Sequence, residues 1–143
     1  MSIRASVVIP TKNAGELFKR VINAVIEQET AWRFEILVID SGSSDGTVEY
    51  CRTLAGVRLH QIRPDEFGHG RTRNLGANLT SGDFIVFITH DALPADRSWL
   101  KNLVAAAEQA PDVAGAFGRH LPYPEADPLL QRDLRLHFDN FLK

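Results

Sequence analysis

The sequence predicts an α/β protein built on a largely parallel sheet. Three observations carry that prediction. Short apolar runs of strand length recur along the chain, each bounded by turn residues. Stretches of helical period lie between them. Strand and helix therefore alternate, the rhythm of crossover connections that set successive strands parallel.

The runs at residues 5–9, 34–39 and 84–88 are rich in branched or aromatic side chains and read as strands buried on both faces. Pro10 stops the first of them. Residues 57–62 alternate instead, with Val57 and Leu59 on one side and Arg58 and His60 on the other, as at a half-covered sheet edge. A fifth candidate is 113–117. Between them, residues 14–28 carry Leu17, Val21 and Val25 beside Phe18, Ile22 and Ile26, one broad apolar stripe. Asn13 and Glu16 resemble a capping box at its start. Residues 44–54, 70–80 and 96–109 follow as helices, the first starting on a Ser/Asp cap signal and the last capped by Asp96 and closed by Pro111. A final helix is expected over 128–143, with Leu130, Leu134 and Phe138 at four-residue spacing. The Pro-rich 121–128 stretch is the one break in composition, so the expected organisation is an α/β domain over 1–120 followed by a connection and helix over 121–143.

Composition narrows the function. The 143 residues carry 16 Lys plus Arg against 18 Asp plus Glu, a net charge of −2 that argues against a protein whose main task is gripping nucleic acid or anionic membranes. No apolar run approaches a membrane span of roughly 18 residues. The apolar run at 5–9 is too short and wrongly flanked for a secretory signal. A single cysteine, Cys51, excludes a disulfide-built module, and a reduced, cytoplasmic setting follows as the default. Residue 51 falls within a predicted helix and reads as a small core residue.

In an open parallel sheet, ligands bind beyond the carboxyl ends of the strands. Three polar clusters fall there: Pro10-Thr11-Lys12-Asn13, Asp40-Ser41-Gly42-Ser43-Ser44-Asp45-Gly46-Thr47, and Thr89-His90-Asp91-Ala92. Asp40 is either a cap for the next turn or a hydrogen-bond acceptor for a ligand. Gly42 and Gly46 permit a tight turn. Arg71 and Arg73 stand near a helix start, where guanidinium forks suit phosphate or a base edge, or simply a solvated face. No phosphate loop and no Gly-x-Gly-x-x-Gly fingerprint is present, which lowers the odds of an ATPase or a nicotinamide enzyme built on them.

These residues carry a resemblance. Val7-Val8-Ile9-Pro10-Thr11-Lys12-Asn13 resembles the opening strand of family 2 glycosyltransferases. Leu37-Val38-Ile39-Asp40-Ser41-Gly42-Ser43-Ser44-Asp45-Gly46-Thr47 is similar to their second motif, Arg73-Asn74-Leu75-Gly76-Ala77 to their Arg-Asn-x-Gly helix, and residues 84–91 stand where they carry Asp-x-Asp. Phe67-Gly68-His69-Gly70-Arg71-Thr72-Arg73-Asn74 with Thr89-His90-Asp91-Ala92-Leu93-Pro94 resembles the rhamnosyltransferase branch, whose metal motif typically reads Thr-Gln-Asp-Ala. Thr89 stands where the general family has its first aspartate, and His90 where Gln is frequent. The metal-facing acid is in place as Asp91.

The resemblance implies a three-layer, Rossmann-like GT-A nucleotide-binding fold. It implies transfer of a sugar, rhamnose in that branch, from a dTDP- or UDP-linked donor to a glycan or lipid-linked acceptor with inversion. It implies Mg2+ or Mn2+ held by Asp91 and the donor phosphates, which one or two carboxylates suffice to bind. Donor contacts would come from Pro10, Thr11, Asn13, Asp40, Ser41, Gly42, Arg71, Asn74, Thr89, His90 and Asp91. Asp40 would accept from the pyrimidine ring N–H, Arg71 would reach the base or diphosphate, and Arg73 with Asn74 would also brace loops. His69 and His90 invite a metal reading, though two imidazoles suit zinc or iron better than a diphosphate-bridging ion. Trp99, Leu100 and Leu103 read as core, and Trp32 as core or sugar platform. No base motif is visible: Glu125, Asp127, Asp133 and Asp139 are the late acids. The chain thus reads as the donor-binding half of a longer enzyme, either truncated or a natural remnant, working in the cytoplasm or at the inner face of a membrane. Its uncovered face could drive self-association. The competing readings are a non-catalytic nucleotide- or partner-binding module on the same fold, and a nucleotidyltransferase, which lacks its Gly-rich basic loop here.

Overall fold

The structure is a computed structural model that describes residues 2–142. The chain divides into two compact units, one ending at Ala105 and one starting at Ala106, with the Pro-rich 121–128 stretch inside the second.

In the first unit, strands β1 (Ala5–Thr11), β2 (Phe34–Asp40), β3 (Val57–Gln61) and β4 (Phe84–Phe87) form one sheet in the order β3-β2-β1-β4. Every pairing is parallel. The helices are α1 (Gly15–Ile26), α2 (Thr47–Thr53), α3 (His69–Asn78) and α4 (Trp99–Ala107), the last of which spans the division between units. Strand pleat explains the layers, because side chains alternate between faces. Ala5, Val7 and Ile9 with Ile36 and Val38 face a core built with Phe18, Val21, Ile22 and Val25 of α1, Cys51 of α2, and Leu100 and Val104 of α4. Val8, Leu37 and Ile39 face the other way, against Leu75 and Leu79 of α3. This is the three-layer arrangement expected. Fully buried Phe18 anchors the larger core, and Phe18→Ala is worth about 3–5 kcal/mol there.

Several local expectations change. β1 runs through Pro10 to Thr11 rather than ending at Ile9. Val8 O accepts from Ile88 N, so even-numbered residues of β1 turn their backbone polar groups toward β4. Pairing with β4 ends at Val8, so the missing N–H of Pro10 falls where no ladder continues. β4 is not an inner strand buried on both faces: it forms a sheet edge, and Phe87 is exposed. β3 is the other edge, as its alternation indicated. No strand forms at 113–117, whose Ala-Gly-Ala centre offers little side chain to bury and whose Phe117 is exposed. α1 is preceded by Ala14 with no side-chain cap, so the capping box does not form.

Gly76 of α3 lies so close to the sheet that a Cβ there would collide with Val8. This accounts for the glycine of the Arg-Asn-x-Gly stretch as close helix–sheet packing. At the amino ends of the strands a polar knot closes the same face. Glu35 accepts from Ser6 Oγ at 2.8 Å, Ser81 N at 2.8 Å and Arg58 Nη1 at 2.7 Å. Ser6 Oγ accepts from Gly82 N at 2.9 Å, and Arg58 Nη2 donates to Leu79 O at 2.9 Å.

In the second unit, α5 (Pro128–Asp139) is capped by Asp127, whose Oδ1 accepts from Leu129 N at 2.8 Å, with Pro128 opening the helix. The 3-10 turn Asn140–Leu142 follows it, and Lys143, part of the expected helix, lies outside the described residues. His120, His137 and Phe141 gather around buried Phe138.

Candidate functional site

The strand order places the site. From β1 the chain builds outward through β2 and β3, then returns to add β4 on the opposite side of β1. The order reverses between β1 and β4, and a crevice opens beyond the carboxyl ends of strands at such a point. Thr11 closes β1, paired with Asp40 at the end of β2. Residues 89–91 follow β4 on the same rim. Two inter-strand spacings, about 10 Å, separate the ends of β2 and β4.

Thr11 is the most informative of the expected residues. It is buried, and among the described residues its Oγ1 is the one buried side-chain nitrogen or oxygen with no hydrogen-bond partner. Buried hydroxyls almost always have a partner, so an orphan calls for a reason. The backbone beside it is fully engaged: Thr11 O accepts from Ser41 N at 3.1 Å and Ser41 Oγ at 3.3 Å.

Asp40 does not present an open carboxylate. The residue is fully buried. Its Oδ1 accepts from Gly42 N at 3.0 Å and Ser43 N at 2.9 Å, and its Oδ2 accepts from Ser43 Oγ. Of the two readings the sequence allowed, the structure shows the cap. The expected picture of Asp40 and Asp91 facing one crevice is corrected accordingly: both end strands on the same rim, but Asp40 is sealed beneath its own loop. Gly42 holds φ +96°, and a Cβ there would lie 2.8 Å from Pro64 Cγ, so the β2 loop packs directly on the segment after β3.

The other expected residues spread along the rim. Thr89 and Asp91 are exposed and His90 half-buried, in a turn closed by Ala92 N donating to Thr89 O at 3.2 Å. Arg73 Nη1 donates to His69 O at 2.9 Å, bracing the start of α3, while Asn74 is exposed on the same helix. Arg71 lines a cleft of about 470 Å³ with His60, Gln61, Ile62, Glu66, Thr72 and Leu75, beside the end of β3. Neither Thr11 nor Asp91 lines it. The sequence did not point to His60, Gln61, Ile62 or Glu66. The signal available was the alternation of β3, which sets His60 and Ile62 opposite Val57 and Leu59.

Cation-binding capacity is modest. Among the described residues no group of three His, Cys, Asp or Glu side chains could hold a metal ion. That excludes an all-protein site built from His69 and His90, and His69 instead stacks edge-on to Phe67 at 5.2 Å. A single exposed carboxylate, Asp91, still fits a cation that takes its remaining ligands from a diphosphate and water. Burial, reinforced by the charge of Asp40, pushes the Cys51 thiol up to about 11, the mark of an inert core thiol. Trp32 and Trp99 pack against the larger core. Three of the four late acids already have partners within the second unit: Asp127 caps α5, Asp133 pairs with Arg132, and Asp139 with Arg119.

No helix of the described residues is long and apolar enough to cross a membrane. Residues 6–141 match glycosyl transferase family 2. The O-antigen chain rhamnosyltransferase RfbN of Salmonella typhimurium is 41% identical over 128 residues, which cover 89% of this chain and 40% of that protein. The chain spans about two fifths of the length of the curated rhamnosyltransferases it matches. The structure of S. aureus TarS 1-349 in complex with UDP-GlcNAc superposes with a TM-score of 0.64 at 23% identity, covering 91% of this chain and 42% of that one, which shows the GT-A fold. The mannosyltransferase PcManGT from Pyrobaculum calidifontis, in complex with GDP-Man and Mn2+, superposes with a TM-score of 0.62 at 25% identity, covering 76% of this chain and 33% of that one. A parallel sheet whose order reverses at Thr11, four motifs in order along the chain and a match over nearly the whole chain lead to one conclusion: the chain belongs to glycosyl transferase family 2.

Proposed function

We propose that this chain binds the nucleoside diphosphate of an activated sugar in the crevice between the ends of β1 and β4, and that the whole protein transfers that sugar, rhamnose, to a hydroxyl of a glycan or lipid-linked acceptor at the inner face of a membrane. The unpartnered, buried hydroxyl of Thr11 carries this reading. It stands at the topological switch point, where a bound base or ribose would supply the missing partner. The likeness to RfbN supports rhamnose, and the solved relatives holding UDP-GlcNAc and GDP-Man support a nucleotide-sugar donor.

In such a transfer the bond between the anomeric carbon and the diphosphate oxygen breaks as the acceptor oxygen attacks from the opposite face, and a base takes the acceptor proton. Negative charge grows on the departing diphosphate. Mg2+ or Mn2+ on Asp91 and the phosphates would neutralise it, without protonation of the leaving group. Thr11, with the neighbouring Pro10 and Ser41 backbone, would orient the nucleoside. Arg71 would reach it from the β3 cleft, and Thr89 and His90 would border the diphosphate. Asp40, Asn13 and Gly42 shape the loops rather than touch the donor.

Calorimetry with dTDP, UDP and GDP, each with and without Mg2+ or Mn2+, tests this. The expected result is metal-enhanced binding of dTDP or UDP in preference to GDP. A folded sample that binds none of them defeats it.

A further inference from the structure

Side-chain hydrogen bonds tie the loops after β1 and β2 to each other. Asn13 N donates to Ser43 Oγ at 2.8 Å, and Ser44 N donates back to Asn13 Oδ1 at 2.8 Å. Gly15 N donates to Asp45 Oδ2 at 2.9 Å, while Asp45 Oδ1 accepts from Thr47 N at 3.1 Å and Thr47 Oγ1 at 2.6 Å. Ser43 Oγ, which accepts from Asn13, donates to buried Asp40. The clasp therefore runs from a strand end, through one serine hydroxyl, into a loop some thirty residues away in sequence.

Two features mark it as more than ordinary loop bonding. Among the described residues Asn13 is the one non-glycine with positive φ, at 47°. Asparagine tolerates that region better than most residues, and it costs free energy that the surroundings must offset. In addition, the segment it pins begins two residues after Thr11, the residue with the orphaned hydroxyl.

We infer that Asn13 and Asp45 are positioning residues: they lock the β1 and β2 loops into one preformed rim that holds Thr11 and Ser41 ready for the donor. This rests on the donor reading above. Preorganisation of this kind raises affinity by removing the ordering cost at binding. Neither side chain needs to touch the ligand.

The test uses the whole chain with Asp45→Ala, Asp45→Asn, Asn13→Gly and Asn13→Asp. Asn13→Gly keeps the positive φ and removes the acceptor. Asn13→Asp keeps an acceptor oxygen, and Asp45→Asn keeps one of two. Amide hydrogen exchange in ligand-free protein is expected to accelerate at Gly15 in Asp45→Ala and at Ser44 in Asn13→Gly, with Asn13→Asp restoring protection. The Kd for UDP or dTDP with Mg2+ should rise about tenfold in Asp45→Ala and Asn13→Gly, less in Asp45→Asn, and return toward wild type in Asn13→Asp. Unchanged exchange at both amides overturns the inference. So does an unchanged Kd in folded Asp45→Ala and Asn13→Gly, which leaves the bonds a stability feature. Wild-type protein that binds no nucleotide defeats the donor reading instead, while the exchange data still report whether the clasp joins the loops.

Discussion

The two ends of the sheet carry similar polar residues and use them in opposite ways. At the amino ends, Ser6, Glu35, Arg58, Ser81 and Gly82 close on one another, and both oxygens of Glu35 have partners. At the carboxyl ends, Asp40 and Asn13 are likewise engaged, but Thr11 Oγ1 has no partner and Asp91 is exposed. A closed polar cluster stabilises. One left incomplete, on a rim where the strand order reverses, is arranged to be completed by something else. Residue type does not distinguish the two, since a carboxylate and a serine serve at both ends. Partner count does.

The sharpest way to break this contrast is at Asp91. Asp91→Ala is expected to weaken metal-dependent nucleoside diphosphate binding by about a hundredfold, since a carboxylate ligand to the cation is lost. Its urea midpoint should stay near wild type, because substitutions at exposed positions usually cost within about 0.5 kcal/mol. Calorimetry with Mn2+ and a denaturation curve on the same sample check both halves.

Glu35→Ala should do the reverse. It leaves Ser81 N and Arg58 Nη1 without their acceptor, at a cost of about 2 kcal/mol in urea unfolding. Nucleotide affinity should not change, because the knot lies at the far ends of the strands. A loss of affinity with no loss of stability would contradict the contrast.

Thr11→Val is a smaller and more telling change. It is near-isosteric and removes the orphaned hydroxyl. Stability should hold or rise by about 1 kcal/mol, while UDP or dTDP binds about fivefold more weakly. A stability loss would mean that the hydroxyl has a partner within the protein.

The mildest prediction concerns pH. Burial alone would raise the Glu35 carboxyl, but the hydrogen bonds from Ser81, Ser6 and Arg58 outweigh it and hold the group below its ordinary value of 4.5. A carboxyl that ionises more readily when folded adds stability above its unfolded pKa and loses it as pH falls through the folded value. The urea midpoint should therefore drop on acidification below about pH 4.5. Asp45 and Asp96, both held low chiefly by hydroxyl hydrogen bonds from Thr47 and Ser98, act in the same direction. The decline should be shallower in Glu35→Gln, and the difference between the two curves isolates the knot.

Much of the fold was legible because it rests on local patterns. The apolar runs of β1, β2 and β4 and the alternation of β3 marked the strands, and the stripe of Phe18, Val21, Ile22 and Val25 marked the buried face of α1. Misreadings arose where a neighbour decides. Pro10 remains in a strand because β4 has already ended beside it. The 113–117 run stays irregular because hydrophobicity alone, without side chains to bury, does not make a strand. Asn13 and Glu16 had the spacing of a capping box, yet Asn13 Oδ1 takes its hydrogen bond from Ser44 instead.

What the sequence by itself determined is therefore the parallel sheet, the rim on which the polar clusters stand, and the family to which they belong. Periodicity and motif order survive in one dimension because each depends on residues a few positions apart. Only the tertiary structure decided which members of those clusters are used up and which stay open: Asp40 sealed, Asn13 and Asp45 committed to the neighbouring loop, Thr11 without a partner. The reason is that a polar atom's role depends on whether its hydrogen bonds are met, and for Asn13 and one oxygen of Asp45 the partners that meet them lie about thirty residues away.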